Sequence, residues 1–155
     1  MSVDKEKFLA MGKEKENEFC NLFANAINST EEQDINEHWD VEITSKIDVK
    51  GLKKISRLDD DVNENIHWLE IKGITGHLGS VYAEHVEYFA FETKKYWIVV
   101  DKLKLQKLIS ENVIKEYVDI PKIYHLYRRK DRLDVLTLVP TLDLMYISEK
   151  ILKKP

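Results

Sequence analysis

A β-strand is predicted over residues 66–73, which run Ile66-His67-Trp68-Leu69-Glu70-Ile71-Lys72-Gly73. Apolar and β-branched residues dominate this segment and a glycine closes it, which is typical of a strand. Because side chains alternate between the two faces of a strand, Glu70 and Lys72 are expected to share one face, with Ile71 on the other. A carboxylate and an ammonium group are costly to bury unless they are paired or bound to a metal. The two charges therefore need a structural or a chemical reason.

A second carboxylate lies on the strand that is predicted just upstream, residues 46–51, where Asp48 points away from the apolar face. Asp48 and Glu70 can together bind Mg²⁺ or Mn²⁺, since a hard cation prefers oxygen ligands and keeps several waters. The backbone carbonyl of Ile71 lies beside Glu70 and offers a third oxygen. Lys72 would lie ~7 Å along the strand from Glu70, where its amine can contact a water or a phosphate. Such a site has the groups that phosphodiester hydrolysis needs.

These residues resemble the PD-(D/E)xK nuclease superfamily, which includes restriction enzymes, Holliday-junction resolvases and many phage nucleases. The resemblance covers residues 13–100 and rests on the order helix, strand, Asp-bearing strand, Glu-x-Lys strand. Asp48, Glu70 and Lys72 match the two acids and the lysine of that family, whereas Ile47 stands where its motif has proline. Glu18, on the first predicted helix, looks like the extra acid that many members contribute to the metal. The resemblance implies a restriction-endonuclease-like fold and a Mg²⁺- or Mn²⁺-dependent endonuclease acting on DNA, with branched or junction DNA as the first expectation.

Other residues are predicted to lie near nucleic acid. In the nuclease interpretation, the glycine-rich loop after residue 72 borders the cleft and places Tyr82 and His85 near DNA, although both are equally well explained as ordinary loop residues. Basic side chains can bind phosphates or can simply cover solvated loops. The basic residues predicted to bind nucleic acid are Lys50, Lys53, Lys54, Arg128, Arg129 and Lys130.

The rest of the chain predicts interleaved helices and strands. The predicted helices cover residues 4–27, 102–112 and 140–151, and polar loops are expected at 31–37 and 53–65. The other predicted strands cover residues 39–44, 88–91, 96–100, 123–127 and 133–139. This order indicates an α/β or α+β fold with a central mixed sheet flanked by helices, plus a C-terminal hairpin and helix. A single domain is expected over residues 1–155, with a core at about 4–112 and the C-terminal hairpin and helix at about 120–153.

Composition limits the classes of function. The net charge of -4 argues against binding nucleic acid through overall charge, so a basic surface would have to be local. The single cysteine, Cys20, fits a reducing, cytoplasmic setting, which for a phage protein would be the infected host cell. No secretory signal or membrane-spanning run is expected. Phosphate-loop and dinucleotide-binding motifs are absent from the sequence, so no nucleotide cofactor is predicted.

Three hypotheses remain open at this point. The first is an active endonuclease, for which a homodimer would supply two sites for two strands. The second is a catalytically inactive nuclease-fold protein that binds DNA or inhibits a host enzyme and keeps the charges as an ion pair. The third is a structural or interaction module in which Glu70 and Lys72 form a surface salt bridge worth ~0–1 kcal/mol.

Overall fold

The computed structural model describes residues 3–23 and 26–155. Its helices are α1 (Val3–Cys20), α2 (Glu31–Glu37), α3 (Lys102–Asn112) and α4 (Thr141–Tyr146), with a 3₁₀ helix at Ser80–Tyr82. Its strands are β1 (Ile27–Asn28), β2 (Val41–Glu42), β3 (Lys46–Lys50), β4 (Ile66–Lys72), β5 (Tyr88–Glu92), β6 (Tyr96–Asp101), β7 (Ile114–Val118), β8 (His125–Arg128), β9 (Val135–Pro140) and β10 (Lys150–Lys153).

The described strands form two mixed sheets. The six-stranded sheet has the order β1-β2-β3-β5-β6-β10, and the four-stranded sheet has the order β4-β9-β8-β7. The pairs β3–β5 and β7–β8 are parallel, and the others are antiparallel. The predicted mixture of helices and mixed sheet is therefore confirmed. The prediction of one central sheet is wrong, because β4 pairs with β9 and leaves the sheet that contains β3.

The larger hydrophobic core lies between the two sheets. Phe89 and Phe91 of β5 project from the six-stranded sheet and meet Leu69 of β4, Val139 of β9 and Leu105 of α3. The second core covers the opposite face of the six-stranded sheet, where the end of α1 packs on Trp97, Val99 and Ala90 through its buried Phe19 and Cys20. The rings of Phe19 and Trp97 meet edge to face at 5.2 Å. The six-stranded sheet is thus covered on both faces.

The N-terminal third differs from the prediction in two places. The first helix ends at Cys20, where Asn21 to Phe23 form tighter turns, and residues 24–25 of the predicted helix lie outside the described residues. The predicted polar loop at 31–37 is wrong, because this segment is α2. Thr30 and Gln33 form a capping box at its start, and His38 adopts a left-handed conformation at its end.

The C-terminal part also differs in detail. The predicted hairpin is confirmed, since β8 and β9 pair antiparallel on either side of the basic turn. The last helix ends at Tyr146, and the chain then forms β10 along β6, so the prediction of helix up to Ile151 is wrong. Strand β7 was not predicted. Among the described residues, none of the helices combines the length and apolar composition needed to cross a bilayer.

Candidate active site

A series of polar contacts connects Asp48 on β3 to Glu70 on β4. The Nζ of Lys50 lies 2.8 Å from Oδ2 of Asp48 and donates to the hydroxyl of Ser80 at 3.3 Å. The backbone N–H of Ser80 in turn donates to Oε1 of Glu70 at 3.2 Å. The two predicted acids lie on different sheets, but Lys50 and Ser80 bring them into one network.

The network is largely buried at the end formed by Asp48 and Lys50. Asp48 and Lys50 are paired with Phe89 and Phe91 across β3 and β5, so both charged side chains face the core between the sheets. Asp48 is only 5% exposed, and the side chain of Lys50 is 24% exposed. Because removing either member of such a buried pair leaves an uncompensated charge, the two side chains depend on each other.

Asp40 is a second buried acid beside Asp48, and the sequence analysis did not identify it. Asp40 is 7% exposed, and its Oδ2 accepts a hydrogen bond from the backbone N–H of Val49 at 2.7 Å. Burial and the negative charge of Asp48 raise the pKa of Asp40 to about 8. Without a cation, Asp40 therefore carries a proton at neutral pH while Asp48 is paired with Lys50.

The nearby carboxylates affect the pKa values of two lysines, Lys50 and Lys53. Burial acts to lower the pKa of the Lys50 amine, but the carboxylates of Asp48, Asp40 and Glu70 outweigh it, so this pKa is raised. Burial and the positive charge of Lys50 lower the pKa of Lys53, and Asp48 and Glu70 oppose that change only in part. The side chain of Lys53 therefore lies close enough to feel the same charges, and Lys50 is the amine that contacts Asp48; the binding of nucleic acid by either lysine stays a prediction.

Lys72 does not share the face of Glu70. A β-bulge lies between them, so that Glu70 is opposite Leu136 of β9 whereas Lys72 is opposite Val135. Because consecutive residues of β9 point to opposite sides of the sheet, Glu70 and Lys72 also point to opposite sides. The prediction that they share a face is wrong for this reason. The catalytic assignment of Lys72 stays a prediction, and the geometry favours Lys50 in that role.

The carbonyl of Ile71, predicted as a third metal ligand, accepts a hydrogen bond from the backbone N–H of Gly79 at 2.9 Å. A Cβ on Gly79 would overlap the backbone carbonyl of Glu70, so only glycine permits this approach. The contact fixes the 3₁₀ helix and its first residue, Ser80, against β4. One lone pair of the Ile71 carbonyl is occupied, and its role as a ligand stays a prediction.

Glu18 lies in a different cluster from Asp48. Its exposed carboxylate is 3.3 Å from the Nζ of Lys15, which also lies 3.0 Å from the buried Glu92. The helix acid whose charge reaches Asp40 is Glu16, whose side chain is mostly buried. Glu18 as a metal ligand stays a prediction, and Glu16 is the acid of α1 that the structure places nearer.

Tyr82 and His85 take no part in the polar network of Asp48 and Glu70 that the described residues form. Tyr82 packs against the core between the sheets, and burial raises the pKa of its phenol. His85 is exposed, and its charge acts on Glu37 at the end of α2. These positions favour the ordinary structural interpretation of both residues, and among the described residues neither forms a hydrogen bond or ion pair with Asp48 or Glu70.

A cavity of about 20 Å³, enough for one water, lies beside the network. His67 is buried against the ring of Phe91, its Nε2 has no hydrogen-bond partner within the described residues, and burial lowers its pKa to about 4. Trp68 donates from Nε1 to the carbonyl of Lys54 at 3.4 Å. The cavity is lined by Lys50, Gly51, Lys53, Ile66, His67 and Trp68.

A larger groove, about 700 Å³, runs along the basic turn between β8 and β9. The guanidinium of Arg128 lies over the ring of Tyr117 at 4.5 Å, Lys130 is exposed, and Arg129 is paired with the buried Asp134. Tyr127 lines the groove, and its ring lies 5.7 Å from that of Trp68. Since Trp68 also lines the small cavity, aromatic rings connect the two sites. The groove is lined by Tyr117, Val118, Asp119, Tyr127, Arg128, Arg129, Lys130, Asp131 and Arg132.

Among the described residues, no three His, Cys, Asp or Glu side chains are grouped so that they could hold a metal ion together. A Mg²⁺ site needs fewer, because this ion keeps several of its waters and accepts one or two carboxylates. The buried pair Asp40 and Asp48 fits that donor set. A cation there would replace the proton that Asp40 otherwise carries.

Comparison of the chain with protein-family models, with curated proteins and with solved structures finds no match.

The contact between Asp48 and Lys50 could have been predicted from their spacing in the sequence. Asp48 and Lys50 are two apart on one strand, so they share a face in the same way that Glu70 and Lys72 were expected to. Asp40, in contrast, reaches Asp48 only because β2 and β3 fold back on each other. No local pattern indicates that contact.

Proposed function

We propose that this protein is a divalent-metal-dependent nuclease that hydrolyses phosphodiester bonds in DNA. The observation that carries the proposal is the convergence of Asp48 and Glu70 on Lys50, directly in one case and through Ser80 in the other. Carboxylates and an amine gathered at a partly buried site are the protein groups that such a reaction uses.

Each residue has a distinct task in this proposal. Asp48 and Glu70 would hold the cation together with several of its waters, and Asp40 would give up its proton to orient one of those waters. When bound, the Mg²⁺ or Mn²⁺ ion supplies Lewis acidity and lowers the pKa of a coordinated water. Lys50 orients the attacking water or contacts the scissile phosphate, which is the task that the sequence assigned to Lys72.

DNA is the substrate that the surroundings favour. The partly exposed amine of Lys53 lies next to the acids, and the Trp68–Tyr127 contact leads from there to the basic groove at Arg128. A strand could follow this surface with phosphates on the lysine and arginine side chains and bases against the aromatic rings. Specificity for branched or junction DNA stays a prediction.

The test is cleavage of plasmid and junction DNA with Mg²⁺ or Mn²⁺ and with EDTA. The proposal expects metal-dependent cleavage that Asp48→Asn and Glu70→Gln each abolish. Lys50→Met should also abolish it, whereas Glu18→Gln and Lys72→Met serve as matched controls and should retain it. Cleavage that survives Asp48→Asn, or that persists in EDTA, would remove the proposal.

A second candidate is a non-catalytic protein that uses the same surface to bind DNA or another protein. The favouring observation is that Lys50 already compensates Asp48 and Glu70, so the acids are satisfied without a cation. In that case calorimetry should detect no Mg²⁺ binding, and EDTA should leave the unfolding midpoint unchanged. DNA binding without cleavage, measured in the same samples, would favour this candidate over the nuclease.

A further inference from the structure

Residues 5–14 of α1 form a helical segment in which every residue is exposed. At 1.5 Å per residue this segment is about 15 Å long. Phe8 is 66% exposed and Met11 is 46% exposed, although α1 buries Phe19 completely at its other end. Phe8 and Phe19 are eleven residues apart, about three helical turns, so they lie on the same face of α1. Phe8 and Met11 therefore form a short apolar stripe on the docking face of α1, separated from Phe19 by Lys15 and Glu16, and no described residue covers this stripe.

We propose that this segment pairs antiparallel with the same segment of a second copy of the chain, forming a two-fold symmetric dimer. In that arrangement Phe8 of each copy packs on Met11 of the other. Gly12 lies on the same face, and a Cβ there would meet nothing within 4 Å, so two helices can approach closely at this point. The interface extends beyond the proposed nuclease activity and does not depend on it.

Charge complementarity selects the second copy as the occupant. Lys7 and Glu14 flank the apolar stripe on one side, one heptad apart. In the antiparallel arrangement centred between Leu9 and Ala10, Lys7 of each copy lies beside Glu14 of the other, which gives two opposite-charge pairs. A parallel arrangement would place Lys7 beside Gly12 and would give neither pair. The sequence therefore matches itself in one orientation only.

The test is sedimentation velocity of the full chain over a concentration series from low micromolar to submillimolar. The proposal expects a reversible monomer–dimer equilibrium that weakens by about tenfold or more in Lys7→Glu and in Glu14→Lys, because each places like charges together twice by symmetry. The combined variant Lys7→Glu/Glu14→Lys restores opposite charges and should recover the dimer. Glu6→Lys, on the far side of the helix, is the matched control and should leave the equilibrium unchanged.

Several outcomes would overturn the inference. A chain that stays monomeric over the whole series has no such interface. If Phe8→Glu leaves the dimer intact, the dimer uses another surface. If the combined charge variant fails to recover the dimer, Lys7 does not pair with Glu14 and the proposed register is wrong. The helical circular dichroism and the urea midpoint of each variant report whether the fold is retained, which is expected because the substituted residues are exposed.

Discussion

The Nζ of Lys50 lies 2.8 Å from Oδ2 of Asp48, with both residues on β3 and facing the core between two sheets. The same amine reaches Glu70 on the other sheet through Ser80. Replacing Lys50 should therefore have two effects that can be measured separately, one on the stability of the fold and one on the proposed reaction.

Replacing Lys50 by methionine should lower the free energy of unfolding by about 3 kcal/mol, because Asp48 is left as an unpaired buried charge. The same change should reduce DNA cleavage by about 10²-fold or more, since the amine near the water or phosphate is lost. Lys72→Met, at the exposed end of β4, is the matched control and should change stability by less than about 0.5 kcal/mol. Urea unfolding and plasmid cleavage of the two variants compare the roles directly. Equal losses in both variants would contradict the assignment.

The pKa of Asp40 predicts an unusual dependence of stability on pH in the metal-free protein. The folded chain holds this proton up to about pH 8, whereas the unfolded chain releases it near the ordinary value of 3.8. Between those values the folded state binds more protons, so this group makes the free energy of unfolding fall as pH rises, by up to about 1.4 kcal/mol per pH unit.

Asp40→Asn should remove that slope, because the amide is neutral at every pH and still accepts from Val49. Asp60→Asn, at an exposed position of the loop before β4, should keep it. Urea unfolding in EDTA between pH 5 and pH 8 measures both slopes. A slope in Asp40→Asn equal to that of the natural chain would show that another group is responsible.

Strands and helices with strong local patterns could be predicted from the sequence. The apolar run of β6, the alternation in β4 and the Asp101-capped stripe of α3 each specify their element locally, and the structure has all three. The capping box at Thr30 and Gln33 was also present as a local signal, so α2 could have been predicted.

Other features depend on contacts between distant parts of the chain. Strand β10 is short and rich in lysine, and it forms because its backbone pairs with β6 while Lys154 reaches Glu92. The bulge that turns Lys72 away from Glu70 is set by the register with β9. The pairing of Asp40 with Asp48 likewise needs the fold. The sequence therefore predicted Asp48 and Glu70 as site residues and Lys50 only as a nucleic-acid contact, whereas the nearness of Asp40 to Asp48 depends on the fold.

Glu92 connects both ends of the chain to the six-stranded sheet. Its buried carboxylate accepts from Lys154 at 2.6 Å and from the backbone N–H of Leu52 at 2.8 Å, and it lies 3.0 Å from Lys15 on α1. Burial acts to raise the pKa of Glu92, but these donors outweigh it and lower the pKa below its usual value of 4.5. The resulting stabilisation is present above that value and is lost as pH falls through the lowered pKa.

Glu92→Gln should therefore lower the free energy of unfolding at neutral pH by about 2 kcal/mol and reduce the loss of stability below pH 4.5. Glu111→Gln is the matched control, since its pair with Lys107 is exposed and 3.8 Å long. Thermal unfolding at pH 7 and in acid compares the two. Equal effects of both substitutions would contradict a special role for Glu92.

Substitution by alanine should change the free energy of unfolding in opposite directions at two glycines. Gly79→Ala forces a Cβ into the backbone of Glu70, so the free energy of unfolding should fall by about 1–3 kcal/mol and the contact between Ser80 and Glu70 should be disturbed. Gly12→Ala, in the exposed part of α1, should raise the free energy by about 0.5–1 kcal/mol because alanine favours the helix. Urea unfolding of the two variants measures both changes in the free energy of unfolding. A neutral Gly79→Ala would contradict the close approach that positions Ser80.

Arg128 should contribute to DNA binding through phosphate contacts at the basic groove. Arg128→Ala is expected to weaken binding about equally for all sequences and to reduce the slope of log affinity against log salt by about 1. Lys107→Ala removes a positive charge from α3, away from the groove lining, and should leave the slope unchanged. Fluorescence anisotropy with a labelled strand at several salt concentrations gives both values. If both substitutions change the slope equally, binding follows overall charge. If only Arg128→Ala does, the groove beside Tyr117 is part of the DNA-binding surface.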